Sequence, residues 1–126
     1  MTATANGMTE EQLANLVARW PGVARAVKWE VDIVYSVTRH MFVVQCMLGL
    51  ERGRLSFKVE PERFLELSDL PGMMPAPYVG RAFWISVTEP ERFSNAELSG
   101  HIRRSYELIV ESLSAKAQAS LAAGDG

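Results

Sequence analysis

Two period-two runs lie back to back near the middle of the chain, and they constrain the fold more than any other feature. Val31, Ile33, Tyr35 and Val37 alternate with Asp32, Val34, Ser36 and Thr38; Phe42, Val44, Cys46 and Leu48 then alternate with Met41, Val43, Gln45 and Met47. Period two marks a strand with one face in a core, because successive side chains leave opposite faces of a pleated backbone. Only Thr38, Arg39 and His40 stand between the runs, which fits a tight turn and an antiparallel pair. After the loop from Gly49 to Gly53, Leu55, Phe57 and Val59 face inward and Arg54, Ser56 and Lys58 outward. Phe83, Ile85 and Val87, against Trp84, Ser86 and Thr88, make one more strand. The expectation is an antiparallel meander.

Helices flank this sheet. Thr9-Glu10-Glu11-Gln12 reads as a capping box, and Leu13, Leu16, Val17 and Trp20 form one apolar stripe that Pro21-Gly22 ends. Glu60-Pro61 opens a short helix with Phe64, Leu65 and Leu67 on its packing side, closed by Ser68 to Gly72. Pro75, Pro77 and Gly80 break regular structure from Met73 to Ala82, which predicts a long stiff loop of the kind that often carries function. Ser94-Asn95-Ala96-Glu97 is a second capping box, starting a long helix with Leu98, Ile102, Ile109 and Leu113 buried and an Arg103–Glu107 pair outside. The small polar residues before Thr9 and the Ala, Ser and Gly content beyond Leu113 predict loose ends. The expected organisation is one domain over 9–116, with 1–8 and 117–126 flexible.

A chain of 126 residues with 48% hydrophobic content holds one ordinary core. Lys and Arg number 13 against 15 Asp and Glu, so a formal charge of -2 supplies no global attraction to nucleic acid or acidic membrane. Any such binding must be local. The single Cys46 excludes an internal disulfide, and the N-terminus has no basic segment leading into an apolar one, which predicts a reducing, cytoplasmic setting. No apolar run reaches the roughly 18 residues of a membrane-spanning helix.

The order of several short motifs resembles the MmcQ/YjbR family of small bacterial proteins. The resemblance is carried by Lys28-Trp29, Asp32, Val37, Met41-Phe42, Ser56-Phe57-Lys58-Val59, Pro61-Glu62-Arg63-Phe64, Pro71-Gly72, Pro75-Ala76-Pro77-Tyr78, Trp84, Val87 and Arg104-Ser105-Tyr106-Glu107-Leu108. It runs from about Thr9 to Lys116. It implies a CyaY-like (frataxin-like) α+β fold, an antiparallel sheet of about five strands with the N-terminal and C-terminal helices packed on one face. It also brings the family's usual label, a DNA-binding protein. Two departures stand out: Glu30 follows the Trp where relatives have glycine, and Thr38-Arg39-His40 replaces a Gly-Gly-Lys-like turn. Without glycine the turn is expected to be wider or differently twisted.

If helices cover one face, the other presents Val34, Ser36, Met41, Val43, Gln45, Met47, Arg54, Ser56, Lys58, Trp84 and Ser86. It is too apolar for a fully solvated face. Either the proline loop or a terminal tail folds over it, or it meets a protein partner or a second copy of the chain. Trp84 beside Lys58 fits the stacking of a base or the gripping of an anionic ring, or else Trp84 packs beneath the Met73–Tyr78 loop. Trp29 carries the same ambiguity. The candidate partner surface is therefore Trp29, Met41, Val43, Met47, Tyr78 and Trp84.

The candidate nucleic-acid contacts are Lys28, Arg39, Arg52, Arg54, Lys58, Arg81 and Trp84, with Arg103 or Arg104 as possible additions. Arg39 and His40 cap one end of the Met41–Leu48 strand and Arg52 and Arg54 the other, roughly 25 Å apart at about 3.3 Å per residue. Glu30, Asp32 and Glu51 dilute the footprint, charged hairpin tips are ordinary solubility features, and no helix-turn-helix, zinc finger or RNA-binding aromatic motif is present. Catalysis has little support. Cys46 shares strand parity with Phe42 and Val44 and should be buried and inert, His40 lies in a turn, and His101 lies on the exposed side of the last helix. No phosphate-cradling glycine loop or carboxylate-rich ridge for iron is present. The expectation is a non-enzymatic binding module without cofactor or metal, with DNA as its ligand. The alternative is an accessory protein that binds a small molecule or protein through the open sheet face and the Pro71–Tyr78 loop.

Overall fold

The computed structural model describes residues 6–28, 32–47, 49, 52–76 and 83–123. It is an α+β fold, built in the order α1 (Glu10–Val17), β1 (Val23–Lys28), β2 (Asp32–Val37), β3 (His40–Cys46), β4 (Leu55–Lys58), α2 (Pro61–Ser68), β5 (Met73–Pro75), β6 (Trp84–Val87), α3 (Asn95–Glu111) and α4 (Ala115–Ala123). The six strands form one antiparallel sheet in the order β1-β2-β3-β4-β6-β5, one strand more than expected. Both capping boxes form: Thr9 with Gln12 starts α1, and Ser94 with Glu97 starts α3.

Two strands had no period-two signature. β1 is an edge strand exposed along nearly its whole length, so nothing selects for alternation. β5 occupies the start of the predicted proline loop; Pro75 is tolerated there because the strand lies at the opposite edge and ends at that residue. The chain ends are also tied down further than expected. The Gly7 N–H donates to the Phe93 carbonyl at 2.9 Å, Met8 is buried, and α4 packs Leu121 against the main core.

The main core lies between the sheet and α1, α2 and α3. It contains Leu13 and Val17 of α1, Leu67 of α2, and Leu98, Ile102, Tyr106 and Ile109 of α3, against Ile33, Tyr35, Val37, Leu55, Phe57, Ile85 and Val87 of the sheet. The helices therefore cover one face, as read.

Strand β3 departs from simple alternation. Tyr35 pairs with Val43 but Ser36 pairs with Met41, leaving Phe42 as an extra residue in a β-bulge. Phe42 and Val43 both enter the main core, and from Val43 to Met47 each residue has the opposite parity from the one read in the sequence. Val43, Gln45 and Met47 belong to the helix side. Val44 and Cys46 belong to the other face. The bulge also leaves two backbone groups without a ladder partner, and α3 supplies one: the Ser105 hydroxyl accepts from the Lys58 N–H at 3.0 Å and donates to the Phe42 carbonyl at 2.7 Å.

The β2–β3 turn is tight rather than wide. Val37 pairs with His40, and Thr38 and Arg39 take φ values of 50° and 69°. Two consecutive positive φ angles give the twist that a two-residue hairpin requires, so sheet geometry prevails over the residues' own preference.

Candidate functional site

The sheet face away from the helices holds a second buried cluster. Val34, Val44 and Trp84 are 0%, 7% and 5% exposed, and Met41 and Ala76 pack against them. The face expected to stand open is therefore closed to solvent around these residues. Lys58 is the register partner of Trp84, so the two share a side, but the buried indole is no platform for a base. The packed reading of Trp84 is the one the geometry favours. Of the expected partner surface, Val43 is buried in the main core, Met47 packs on that same core, and Met41 is half-buried on the other side. Trp29 and Tyr78 lie outside the described residues, as does Arg81 among the expected nucleic-acid contacts.

The cations of α2 and α3 differ from those at the ends of the sheet; elsewhere Arg25 and Arg92 are paired, while Arg19 and Lys116 are exposed with no ion pair among the described residues. Those of α2 and α3 are engaged: Arg63 faces Glu66, Arg103 pairs with Glu107 at 3.1 Å, and Arg104 bonds to Glu60, Glu107 and Glu111. The Arg103 guanidinium also lies over the rings of Trp20 and Tyr106, at 4.9 and 5.1 Å from their centroids. The Arg104 hydrogen bond holds the Glu60 carboxyl below the usual carboxylate range, and the same guanidinium, followed by Arg103, does so for Glu107. Arg103 and Arg104 would have to give up these carboxylates to add to a footprint.

Lys28, Arg39 and Arg52 behave differently. All three are exposed, and among the described residues none forms an ion pair. Arg39 caps one end of the sheet at the β2–β3 turn; Lys28 and Arg52 lie at the other, at the end of β1 and in the β3–β4 connection. The length of β3 separates these ends by about 20 Å. Arg54 and Lys58 are half-buried, Arg54 with an interaction of its own.

His101 is not on an exposed side. It is half-buried and stacks on Phe57 with centroids 5.3 Å apart and planes 8° from parallel. Cys46 is buried as expected, but on the face opposite the helices, as the register partner of Asp32. Among the described residues, three buried side-chain atoms carry no hydrogen bond: Asp32 Oδ1, Tyr35 Oη and Gln45 Oε1. Gln45 lends its amide nitrogen to the Met8 carbonyl at 3.0 Å. Nothing in the alternation marked Asp32 as buried, because its parity placed it on the outer face. Among the described residues no group of three or more His, Cys, Asp or Glu side chains is placed to hold a metal ion. No helix of the described residues is long and apolar enough to cross a membrane.

These features define a small antiparallel α+β domain with cations at both ends of its sheet. The chain belongs to the YjbR family, whose family model matches residues 18–108. Protein DR2400 of Deinococcus radiodurans, described with a DUF419 domain, shares the fold at a TM-score of 0.82 and 21% identity, over 94% of this chain and 91% of that one. A structural-genomics protein from Pseudomonas syringae matches at a TM-score of 0.65 and 19% identity, over 80% of this chain and 98% of that one. No curated protein matches the chain.

Proposed function

We propose that this YjbR protein is a non-enzymatic binding module that contacts nucleic acid through the phosphate backbone. The observation that carries this reading is the division of the cations. Arg63, Arg103 and Arg104 on the helices are matched to carboxylates, while Lys28, Arg39 and Arg52 at the two ends of the sheet project into solvent without an ion-pair partner among the described residues. Unpaired cations separated by about 20 Å reach different phosphates of one duplex, and such contacts position a protein without reading sequence. The burial of Trp84 removes that indole as a stacking platform, and exposed cations spaced along the sheet suit the phosphates of double-stranded DNA.

Fluorescence-polarisation titration of a mixed-sequence duplex at two salt concentrations tests this. With about three phosphate contacts, log K should fall with log salt at a slope near −3, with affinity in the micromolar range or weaker at physiological salt. Absence of saturable binding at low salt overturns the proposal.

A further inference from the structure

We infer that β1 is a self-association strand: two copies of this chain pair antiparallel along their β1 edges, about a two-fold axis at Ala26, and join their sheets into one. Every residue from Ala24 to Lys28 is exposed, Val27 at 53%, so a second strand has access along the whole edge. The turn at Thr38 and Arg39 fixes which backbone groups that edge offers. Two left-handed residues make Val37 and His40 the hydrogen-bonded pair that closes a two-residue hairpin. Backbone groups then alternate along β2, so those of Ser36, Val34 and Asp32 turn toward β1 and meet Ala24, Ala26 and Lys28. The N–H and C=O groups of Val23, Arg25 and Val27 point the other way, off the edge. The Val23 N–H is taken by the Trp20 carbonyl at 3.4 Å, and among the described residues no loop or side chain bonds to the outward groups of Arg25 and Val27.

The strand itself selects its partner. Val23, Arg25 and Val27 leave the face that carries the helices, and Ala24, Ala26 and Lys28 leave the other, as their register partners on β2 do. Opposite residues must share a face, so an antiparallel second β1 has its axis on a residue and not between two. An axis on Arg25 would set that charge against its own copy. An axis on Ala26 sets Arg25 against the partner's Val27 and Ala24 against the partner's Lys28, so no like charges stand opposite. It also brings the outward groups of Arg25 and Val27 into register, so that each N–H meets the other's C=O on both sides of the axis. Arg25 is balanced by Glu10 of its own chain at 3.8 Å, and its aliphatic stem covers the exposed valine across the axis. β1 carries no proline and pairs with β2 without a bulge, so nothing blunts this edge. The opposite edge is protected, since β5 is short and ends at Pro75, which has no N–H to give; the assembly therefore closes at two copies.

Sedimentation equilibrium of the whole chain tests this. An edge contact lies at the weak end of protein interfaces, so the dimer should form with a Kd of about 0.1–1 mM, and the weight-average mass should rise by at least about a third between about 10 µM and about 1 mM. Hydrogen exchange on the wild type, which needs no variant to fold, should slow at the Arg25 and Val27 amides over the same range. The Ala26 amide, already bonded to β2, should change little. Val27→Pro removes only an outward N–H, which an edge strand tolerates, and should abolish the association. Val27→Lys sets a like charge against the partner's Arg25 and should weaken the dimer about threefold or more, whereas Val27→Glu should tighten it by about as much. Both charge variants sit at an exposed position and put no proline in the strand. A wild type that stays monomeric at the highest concentration overturns the inference and leaves the edge to a strand of another protein. So does a dimer that survives Val27→Pro, or one that responds alike to both charges at position 27.

Discussion

The hydroxyl of Ser105, on α3, donates to the carbonyl of Phe42 at 2.7 Å while accepting from the N–H of Lys58 at 3.0 Å. One helix side chain thereby closes the opening that the β3 bulge makes in the ladder. Ser105→Ala strands one buried and one part-buried backbone group and should lower stability by about 2–4 kcal/mol, since each unsatisfied group costs about 1–3 kcal/mol and the part-buried one falls at the lower end. Urea unfolding followed by circular dichroism measures this. A loss below about 0.5 kcal/mol would show that the bulge closes without the helix.

Thr38 and Arg39 hold left-handed backbone conformations that cost non-glycine residues about 1–2 kcal/mol each. Replacing them by the preferred pair, Thr38→Asn with Arg39→Gly, should raise stability by about 1 kcal/mol or more. The same exchange removes an exposed cation, so affinity for duplex DNA should fall as the melting temperature rises. A variant no more stable than wild type would contradict the strained turn.

What was legible in the sequence follows from which residues have one dominant local reason to be where they are. Thr9 with Gln12, Ser94 with Glu97, and Pro61 at a first helical position state their roles locally, and all three helices begin there. The bulge at Phe42 does not. In the run Met41-Phe42-Val43-Val44 every residue is apolar, so an inserted residue leaves no mark on the pattern and the parity of Gln45 and Cys46 is read backwards. Exposed β1 and proline-bearing β5 lacked alternation because edges do not need it. Arg39 and Arg52 lie at opposite ends of β3 as read, because a turn is recognised by position alone, whereas Lys28 sits at the end of β1, a strand the pattern does not mark. The burial of Trp84 and Asp32 depends on what lies above a face, and strand periodicity carries no information about that.

The pH dependence of stability should carry a signature of His101. Burial first, then the charge of Arg63, hold its imidazole below the ordinary value of 6.5, against the opposing influence of Glu97 and Glu60. The unfolded chain therefore takes up this proton first. The stability that neutral His101 contributes is fully present above about pH 6.5 and lost as pH falls toward the folded value. Glu60 and Glu107, both held low by Arg104, add a second loss below about pH 4.5. His101→Phe keeps a ring on Phe57 and should flatten the urea midpoint between pH 7 and 5 while leaving the lower limb. An unchanged slope in that window would assign the upper loss to another group.

Gly22 has a φ of 76°, and a Cβ there would collide with the Leu121 side chain of α4. Gly22→Ala should cost about 1–3 kcal/mol through backbone strain and overpacking together. Adding Leu121→Ala should return part of that loss, since the two positions share one space. Strictly additive losses in the double variant would show that α4 does not seat on this turn.

The central claim is that the unpaired cations at the ends of the sheet hold DNA, and removing them tests it most directly. The triple variant Lys28→Gln, Arg39→Gln, Arg52→Gln should unfold within about 0.5 kcal/mol of wild type, because exposed unpaired charges contribute little to the fold. Its polarisation titration with duplex DNA at low salt should lose at least about tenfold in affinity, and its salt slope should fall toward zero. A folded triple variant that binds the duplex as tightly as wild type, with the same salt slope, would contradict the account.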